Sequence, residues 1–222
     1  MDFTAEQTKV IKEVQDWSKE GLNYTDIILG LKIQDREILE DLLTNQSKEF
    51  YKEYKNGSSI WLKFCTFIEN IFGYDLSSQG INGKNSNGVS PLHMFAGSEP
   101  MVDILLAQGA DPNIKNADGL TAITQAASLN KLSIVEQLHK EGADLKVTDN
   151  KGNNILANLI TDHAPDVGRD LSVVFKYFVK HGVDPNQKNF EGKSALDLAK
   201  ESSYKNSLPI LLERSQSREI SR

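Results

Sequence analysis

The sequence predicts an all-α protein in which short helix–turn–helix units repeat along the chain, behind a separate N-terminal helical region. Three observations support this prediction. A turn glycine returns at intervals close to 33 residues, a short apolar helix follows each glycine, and a second, amphipathic helix then runs to another glycine. Because such a helix pair is too short to bury its apolar face alone, each unit needs a neighbour of the same kind.

The repeating unit is clearest in residues 116–145, NADGLTAITQAASLNKLSIVEQLHKEGADL. Its opening Asn-Ala-Asp-Gly is a tight-turn signal, because these residue types tolerate the dihedral angles that turns require. Thr121 is the expected N-cap of a short helix over 122–128. A second helix with an apolar stripe follows, and Gly142 is expected to end it.

The same parts return after four turn glycines, which are 31, 33 and 40 residues apart: Gly88, Gly119, Gly152 and Gly192. A period near 33 with one turn and two helices per unit resembles the ankyrin repeat. Ser90-Pro91-Leu92-His93 followed by Ala96 is the closest match in this chain to the Thr-Pro-Leu-His-x-Ala signature of that family.

The resemblance covers residues 79–213 and implies an ankyrin-repeat solenoid of about four units, at 81–112, 113–145, 146–185 and 186–213. The third unit departs most from the pattern. It has Asn154 in place of a hydroxyl cap, and it carries extra residues around 161–170. We therefore expect it to be the weakest unit of the stack, with an insertion that is either a binding loop or a tolerated surface loop.

Residues 1–78 have no repeat period and are expected to form a helical bundle or cap. Thr4 is the expected cap of a first helix that runs to Lys19, and further helices are expected over about 25–32, 34–54 and 60–72. A solenoid needs caps because its end faces are apolar, but this region could equally bind a partner of its own. Residues 214–222 are short and polar and are expected to form a flexible tail.

Composition excludes several classes of protein. The formal charge is −6, and residues 1–75 contain 9 Lys or Arg against 14 Asp or Glu, the wrong balance for binding nucleic acid. The single cysteine, Cys65, rules out an internal disulfide and fits a reducing compartment. The first twenty residues are charged throughout, and no apolar run approaches the roughly 18 residues of a membrane span. A soluble, cytoplasmic monomer is expected.

The sequence shows no pattern of a catalytic, cofactor or metal site. The four histidines are far apart in the sequence and lack metal-ligand spacing: His93, His139, His163 and His181. Phosphate-binding glycine motifs are absent from the sequence. We expect His93 to be a structural hydrogen bonder and the protein to be non-enzymatic, without cofactor or metal.

The resemblance implies recognition of another protein through a concave surface lined by turn tips and first helices. The tip residues are Asn85, Ser86, Asn87 and Val89; Ala117, Asp118 and Leu120; Asn150, Lys151 and Asn153; and Phe190, Glu191 and Lys193. For most of them, turn chemistry explains the residue type as well as binding does. Phe190 is different because a turn has no need of an aromatic side chain, so it is expected either to contact the partner or to fold onto a neighbouring tip.

The predicted repeats and N-terminal region lead to two hypotheses about function. The first is a protein-interaction module or adaptor that binds its partner through the repeats. The second is a bacterial effector delivered into a host cell and acting in the host cytoplasm, with an activity or a second binding site in residues 1–78. The first is favoured because an activity in residues 1–78 would require convergent polar groups, whereas the sequence there shows mainly an aromatic core.

Overall fold

A computed structural model describes residues 4–19, 80–161 and 171–201, and within them the regular structure is helical. The helices are α1 (Ala5–Lys19), α2 (Pro91–Met94), α3 (Glu99–Ala107), α4 (Ala122–Ser128), α5 (Leu132–Lys140), α6 (Ile155–Thr161), α7 (Ser172–Lys180) and α8 (Ala195–Glu201). Two isolated antiparallel bridges, Thr148–Asn154 and Lys188–Ser194, join the two sides of turns. The chain divides into two compact units, Met1–Ala117 and Asp118–Arg222.

In the first unit, α1 begins with a reciprocal cap. The Gln7 N–H donates to Thr4 Oγ1 at 3.2 Å, and the Thr4 N–H donates to Gln7 Oε1 at 3.0 Å. Val10, Ile11 and Val14 of this helix are buried. The predicted bounds and cap of the first helix are therefore confirmed, whereas the helices expected between residues 20 and 79 lie outside the described residues.

The first repeat consists of α2 packed against α3. Pro91 occupies the first turn of α2, where its missing N–H has no helical partner to lose. Leu92 and Leu105 are buried, whereas Leu106 is only half-buried. The helix angle explains the difference, since the residue after Leu105 is turned 100° away from it around the axis.

In the second unit, α6 lies at the centre. It packs against α4, α7 and α8, and α4 packs in turn against α5. Every residue from Ile155 to Ile160 is buried. Phe175 and Phe178 of α7 are also fully buried, and each such side chain contributes about 1.5–3 kcal/mol relative to exposure.

The second helix of each described repeat ends in the same way. The N–H three residues past the end donates back to a carbonyl in the last turn: Ala110 to Leu105 at 3.0 Å, Ala143 to Leu138 at 2.9 Å, and Val183 to Phe178 at 3.1 Å. The intervening glycine has a positive φ, +92° at Gly142. This is the Schellman end that the sequence predicted at Gly142, and it leads the chain into the next turn.

The first helices begin with different caps, and the third repeat, which lacks a hydroxyl cap as predicted, uses an amide instead. Asn154 Oδ1 accepts the Ala157 N–H at 3.0 Å, while its Nδ2 donates to the Asp184 carbonyl at 2.7 Å. Thr121 occupies the predicted N-cap position, but its hydroxyl makes no bond to a helix N–H and lies 3.4 Å from Thr124 Oγ1. An amide oxygen caps a helix as well as a hydroxyl does, so the third repeat does not lack a cap. Residues 162–170 of its insertion lie outside the described residues.

Asn130, which follows α4, provides a test of backbone strain. Its φ is +58°. Just after it, the Lys131 N–H donates back to the Ala126 carbonyl at 3.0 Å. Alanine in this left-handed conformation is strained, whereas glycine is not. We expect Asn130→Ala to be less stable than Asn130→Gly by about 1 kcal/mol in urea unfolding. Because both substitutions remove the same side chain, equal stabilities would contradict the strain argument.

Asp197 provides a test of pH dependence. Its carboxylate accepts the Ser194 hydroxyl at 2.7 Å and the Ser194 N–H at 3.1 Å, and these two hydrogen bonds lower the pKa of Asp197 below its ordinary value. A lowered folded-state pKa gives stability that is present above the unfolded-state pKa and is lost as the pH falls through the folded-state pKa.

We therefore expect Asp197→Asn to lose less unfolding free energy than the wild type between about pH 5 and pH 3. Urea midpoints measured across that range would show the difference as a shallower slope for the variant. Parallel profiles for the two proteins would contradict it.

Candidate functional site

The candidate contact residues lie on four turn tips, defined as residues 85–89, 116–120, 149–153 and 189–193. In three of them the first side chain holds the turn by accepting two backbone N–H groups. Asp149 Oδ1 accepts from Lys151 and Asn153, both at 2.8 Å. Asn85 and Asn189 make the equivalent pairs of bonds at 2.9–3.0 Å. Each of these turns is therefore held by its own side chain, so the middle residues are displayed on an ordered backbone.

Neighbouring tips are joined by a repeated backbone hydrogen bond. The second residue of a tip donates its N–H to the carbonyl of the third residue in the preceding tip. This bond joins Ala117 to Asn87 at 2.8 Å in the first unit; in the second unit it joins Asn150 to Asp118 and Phe190 to Lys151, both at 3.0 Å. A side-chain bond from Asn189 Nδ2 to Asn153 Oδ1 at 2.8 Å reinforces the last pair.

The short distance between neighbouring tips requires glycine at the fourth tip position. A Cβ on Gly152 would lie 3.0 Å from the Phe190 nitrogen and 2.9 Å from Cδ1 of its ring, and a Cβ on Gly119 would lie 2.8 Å from the Asn150 nitrogen. Gly192 has the same backbone conformation, with φ +78° against +79° at Gly152, but no described atom lies within 4 Å of its Cβ position. In every tip the glycine allows the positive φ that the turn requires. Where another tip follows, the missing Cβ also makes room for the backbone of that next tip.

The structure exposes most of the predicted site residues. The exposed ones are Ser86, Asn87, Ala117, Asp118, Asn150, Lys151, Phe190 and Glu191, and the half-buried ones are Asn85, Leu120 and Lys193. Lys193 is also held at 2.6 Å by Glu201, whose hydrogen bond and charge raise the pKa of the lysine.

Two predicted contact residues are corrected. Val89 is 2% exposed and belongs to the core of the first unit. Asn153 is 4% exposed, because its amide is occupied by Asp149 Oδ2 at 3.0 Å and by Asn189 Nδ2. The fifth tip residue leads directly into the helix cap, so in these two tips its side chain packs inward and cannot contact a partner.

Phe190 combines the two outcomes that the sequence left open. Its N–H is bonded to Lys151, and its ring lies over Gly152 of the neighbouring tip. The residue is nevertheless 83% exposed. The neighbouring tip therefore fixes the position of the ring without covering it, and most of the aromatic surface remains available.

His93 is buried, as a structural role requires. Its Nδ1 accepts the Ser90 N–H at 3.3 Å and lies 2.8 Å from Ser90 Oγ. A backbone N–H can only donate, so Nδ1 carries no proton and the ring proton is on Nε2. The prediction of a structural hydrogen bonder is confirmed.

Sequence reasoning missed a cluster formed by His139, Tyr177 and His181. Tyr177 OH lies 2.8 Å from His139 Nδ1, and His181 Nδ1 lies 2.8 Å from the Tyr177 carbonyl. The two imidazole centroids are 5.0 Å apart. Burial, and to a lesser extent the charge of Glu136, raise the pKa of Tyr177. The four-residue spacing of Tyr177 and His181 was visible in the sequence, but the contact with His139 depends on how α5 and α7 are placed in the fold.

The part of the chain that the structure describes contains no group of three or more His, Cys, Asp or Glu residues placed to hold a metal ion. Nor does any of its helices have both the length and the apolar character needed to cross a membrane. His163 lies outside the described residues.

Comparison with known proteins identifies the family. The family model described as ankyrin repeats in three copies matches residues 34–149, 93–164 and 123–221. The chain therefore belongs to the ankyrin-repeat family. The first match begins at residue 34, inside the region whose sequence shows no repeat period.

Two curated relatives are partly similar to this chain. A transient receptor potential cation channel subfamily A member 1 homolog of Caenorhabditis elegans is 29% identical over 135 residues, which are 60% of this chain and 10% of that protein. The inactive serine/threonine-protein kinase TEX14 of Mus musculus is 32% identical over 102 residues, which are 45% of this chain and 7% of that protein. The chain thus spans a tenth or less of the length of these relatives.

A solved structure supports the fold. A crystallised ankyrin repeat domain from Acinetobacter baumannii matches with a TM-score of 0.54 and 23% identity, covering 63% of this chain and 71% of that one. At this level of identity the similarity shows the ankyrin fold, in agreement with the helix pairs and turn tips described above.

Gly152 and Gly192 form a matched pair for testing the packing of the tips. Alanine at either position is strained by the positive φ, but only at position 152 does it also collide with Phe190. We expect Gly192→Ala to lower the unfolding free energy by about 1 kcal/mol and Gly152→Ala by about 2–3 kcal/mol. Urea unfolding of the two variants measures the difference, and equal losses would show that close packing between tips adds nothing.

Proposed function

We propose that this chain is a non-enzymatic protein-interaction module that binds another protein through the exposed residues of its turn tips. The observation that carries the proposal is Phe190, an aromatic side chain that is 83% exposed on a hydrogen-bonded turn. Aromatic side chains of this kind are the usual anchors of protein interfaces. Because the turn already fixes the backbone, binding costs less conformational entropy than it would on a disordered loop.

The surroundings of Phe190 suit an interface. Lys151 and Glu191 are exposed and of opposite charge, and Asn150 is exposed and can both donate and accept hydrogen bonds. An apolar anchor with polar neighbours has the arrangement of an interface core and its rim. Val89 and Asn153 are left out of the proposed surface because they are buried.

The similarity to relatives with different names supports a protein-interaction module that is not tied to one activity. One is named a cation channel and another an inactive kinase, and in each the matching segment is a small fraction of the whole protein. Ankyrin repeats are generally protein-interaction modules. We propose the same for this chain, with no cofactor or metal, and we propose that it works as a monomer in the cytoplasm. The effector alternative depends largely on residues 20–79, which lie outside the described residues.

Replacing Phe190 tests the proposal in the full-length chain. Phe190→Ala removes most of an exposed ring, so we expect the urea midpoint to change little and the binding of a captured partner to weaken at least tenfold. Partners are captured from a lysate of the source cells, identified by mass spectrometry, and their affinities measured by titration with the wild type and the variant.

Two controls accompany this measurement. Phe190→Tyr keeps the aromatic surface and is expected to keep the partner, whereas Lys188→Ala alters an exposed residue just outside the tip and is expected to have no effect. A partner that binds the alanine variant as tightly as the wild type would remove Phe190 from the interface and with it the main support for the proposal.

A further inference from the structure

A second exposed surface is present on α7, away from the tips. Val173 is 53% exposed and, with Phe190, is one of two large hydrophobic residues exposed among residues 4–16, 80–161 and 171–201. Val173, Tyr177 and His181 follow one another at four-residue intervals and so share one side of the helix. We call this surface the α7 face; it consists of Val173, Lys176, Tyr177, Lys180 and His181.

The α7 face is basic, although the chain as a whole is acidic. The helix SVVFKYFVK contains Lys176 and Lys180 and no acidic residue, whereas the formal charge of the chain is −6. Both lysines are exposed, and neither forms an ion pair with any residue in the described ranges. The opposite side of the same helix packs in the core through Val174, Phe175 and Phe178.

The middle of the α7 face is held in place by hydrogen bonds. The hydroxyl of Tyr177 is bonded to His139 Nδ1, and the Tyr177 and His181 rings lie 4.1 Å apart between centroids. His181 Nδ1 must donate to the Tyr177 carbonyl, because a carbonyl oxygen can only accept. The aromatic surface is therefore ordered before a partner arrives, which lowers the entropic cost of binding. Glu136 of α5 is exposed and its charge acts on Tyr177, so one carboxylate lies close to this basic surface.

We propose that the α7 face is a second docking surface, and that its partner is an acidic segment of another protein with an apolar residue between carboxylates. The exposed Lys176 and Lys180 would pair with the carboxylates, and Val173 with the ring of Tyr177 would contact the apolar side chain. Opposite charges at such a rim speed association and select the partner, while the ordered apolar centre slows dissociation. The proposal is independent of the tips, because it uses none of their residues.

The test uses the full-length chain and a fluorescein-labelled peptide, Glu-Glu-Leu-Glu-Phe-Glu-Glu, followed by fluorescence anisotropy. We expect binding that weakens at least tenfold in the Lys176→Glu/Lys180→Glu variant and about threefold in Val173→Ser, which leaves the charge unchanged. Raising the salt from about 0.05 M to about 0.5 M should also weaken binding, because the charges are exposed.

The controls separate this surface from general charge and from the tips. Lys131→Glu/Lys146→Glu has the same net charge as the first variant but alters exposed lysines outside the α7 face, so we expect wild-type affinity. Phe190→Ala should also bind normally, and urea midpoints confirm that each variant is folded. A peptide with Gln in place of every Glu should not bind.

Several results would overturn the proposal. These are no binding of the acidic peptide, equal weakening in the two double-lysine variants, or equal binding of the Gln peptide. The proposal would also be overturned if the wild type dimerised at low salt and the Lys176→Glu/Lys180→Glu variant did not. The α7 face would then bind a second copy of this acidic chain rather than another protein.

Discussion

The close contact between successive tips is the constraint on which the rest of the described structure depends. One backbone hydrogen bond, such as Phe190 N–H to the Lys151 carbonyl at 3.0 Å, fixes the distance between neighbouring turns. That distance leaves no room for a Cβ on Gly152. The helices that follow each tip then start at a set spacing, so their apolar sides meet and bury one another, as α6 does between α4 and α8.

The same contact makes the tips suitable for recognition. The side chain of Asp149 or Asn189 satisfies the backbone of its own turn, and the neighbouring tip satisfies the outward N–H of the second residue. Once the backbone groups are paired, the second and third side chains are free to vary without cost to the fold. Phe190 illustrates the result, because its main chain is part of the structural contact while its ring is exposed.

Helix starts show how one structural requirement is met by different residues. Ser90 pairs with the imidazole of His93, Ser194 pairs with the carboxylate of Asp197, and Asn154 caps its helix alone. Each arrangement supplies polar partners at the helix N-terminus, where backbone N–H groups lack them. A departure from the family signature at these positions is therefore a change in the capping group, while the weakness expected of the third repeat stays a prediction.

Local structure could be predicted from the sequence alone. Residues a few positions apart were enough to predict the helices α1, α4 and α5, the cap at Thr4 and the helix end at Gly142. The period near 33 was enough to predict the family. The tip positions were also predictable, since turn chemistry marks them.

Which side chains face outward depends on tertiary packing. Val89 and Asn153 lie in tips but are buried, because the fifth tip residue packs inward before the helix begins. His139 and Tyr177 are 38 residues apart and meet only because α5 and α7 lie at the right separation. Burial and contact of this kind depend on where a second helix or turn is placed, and a local sequence pattern carries no information about that distance.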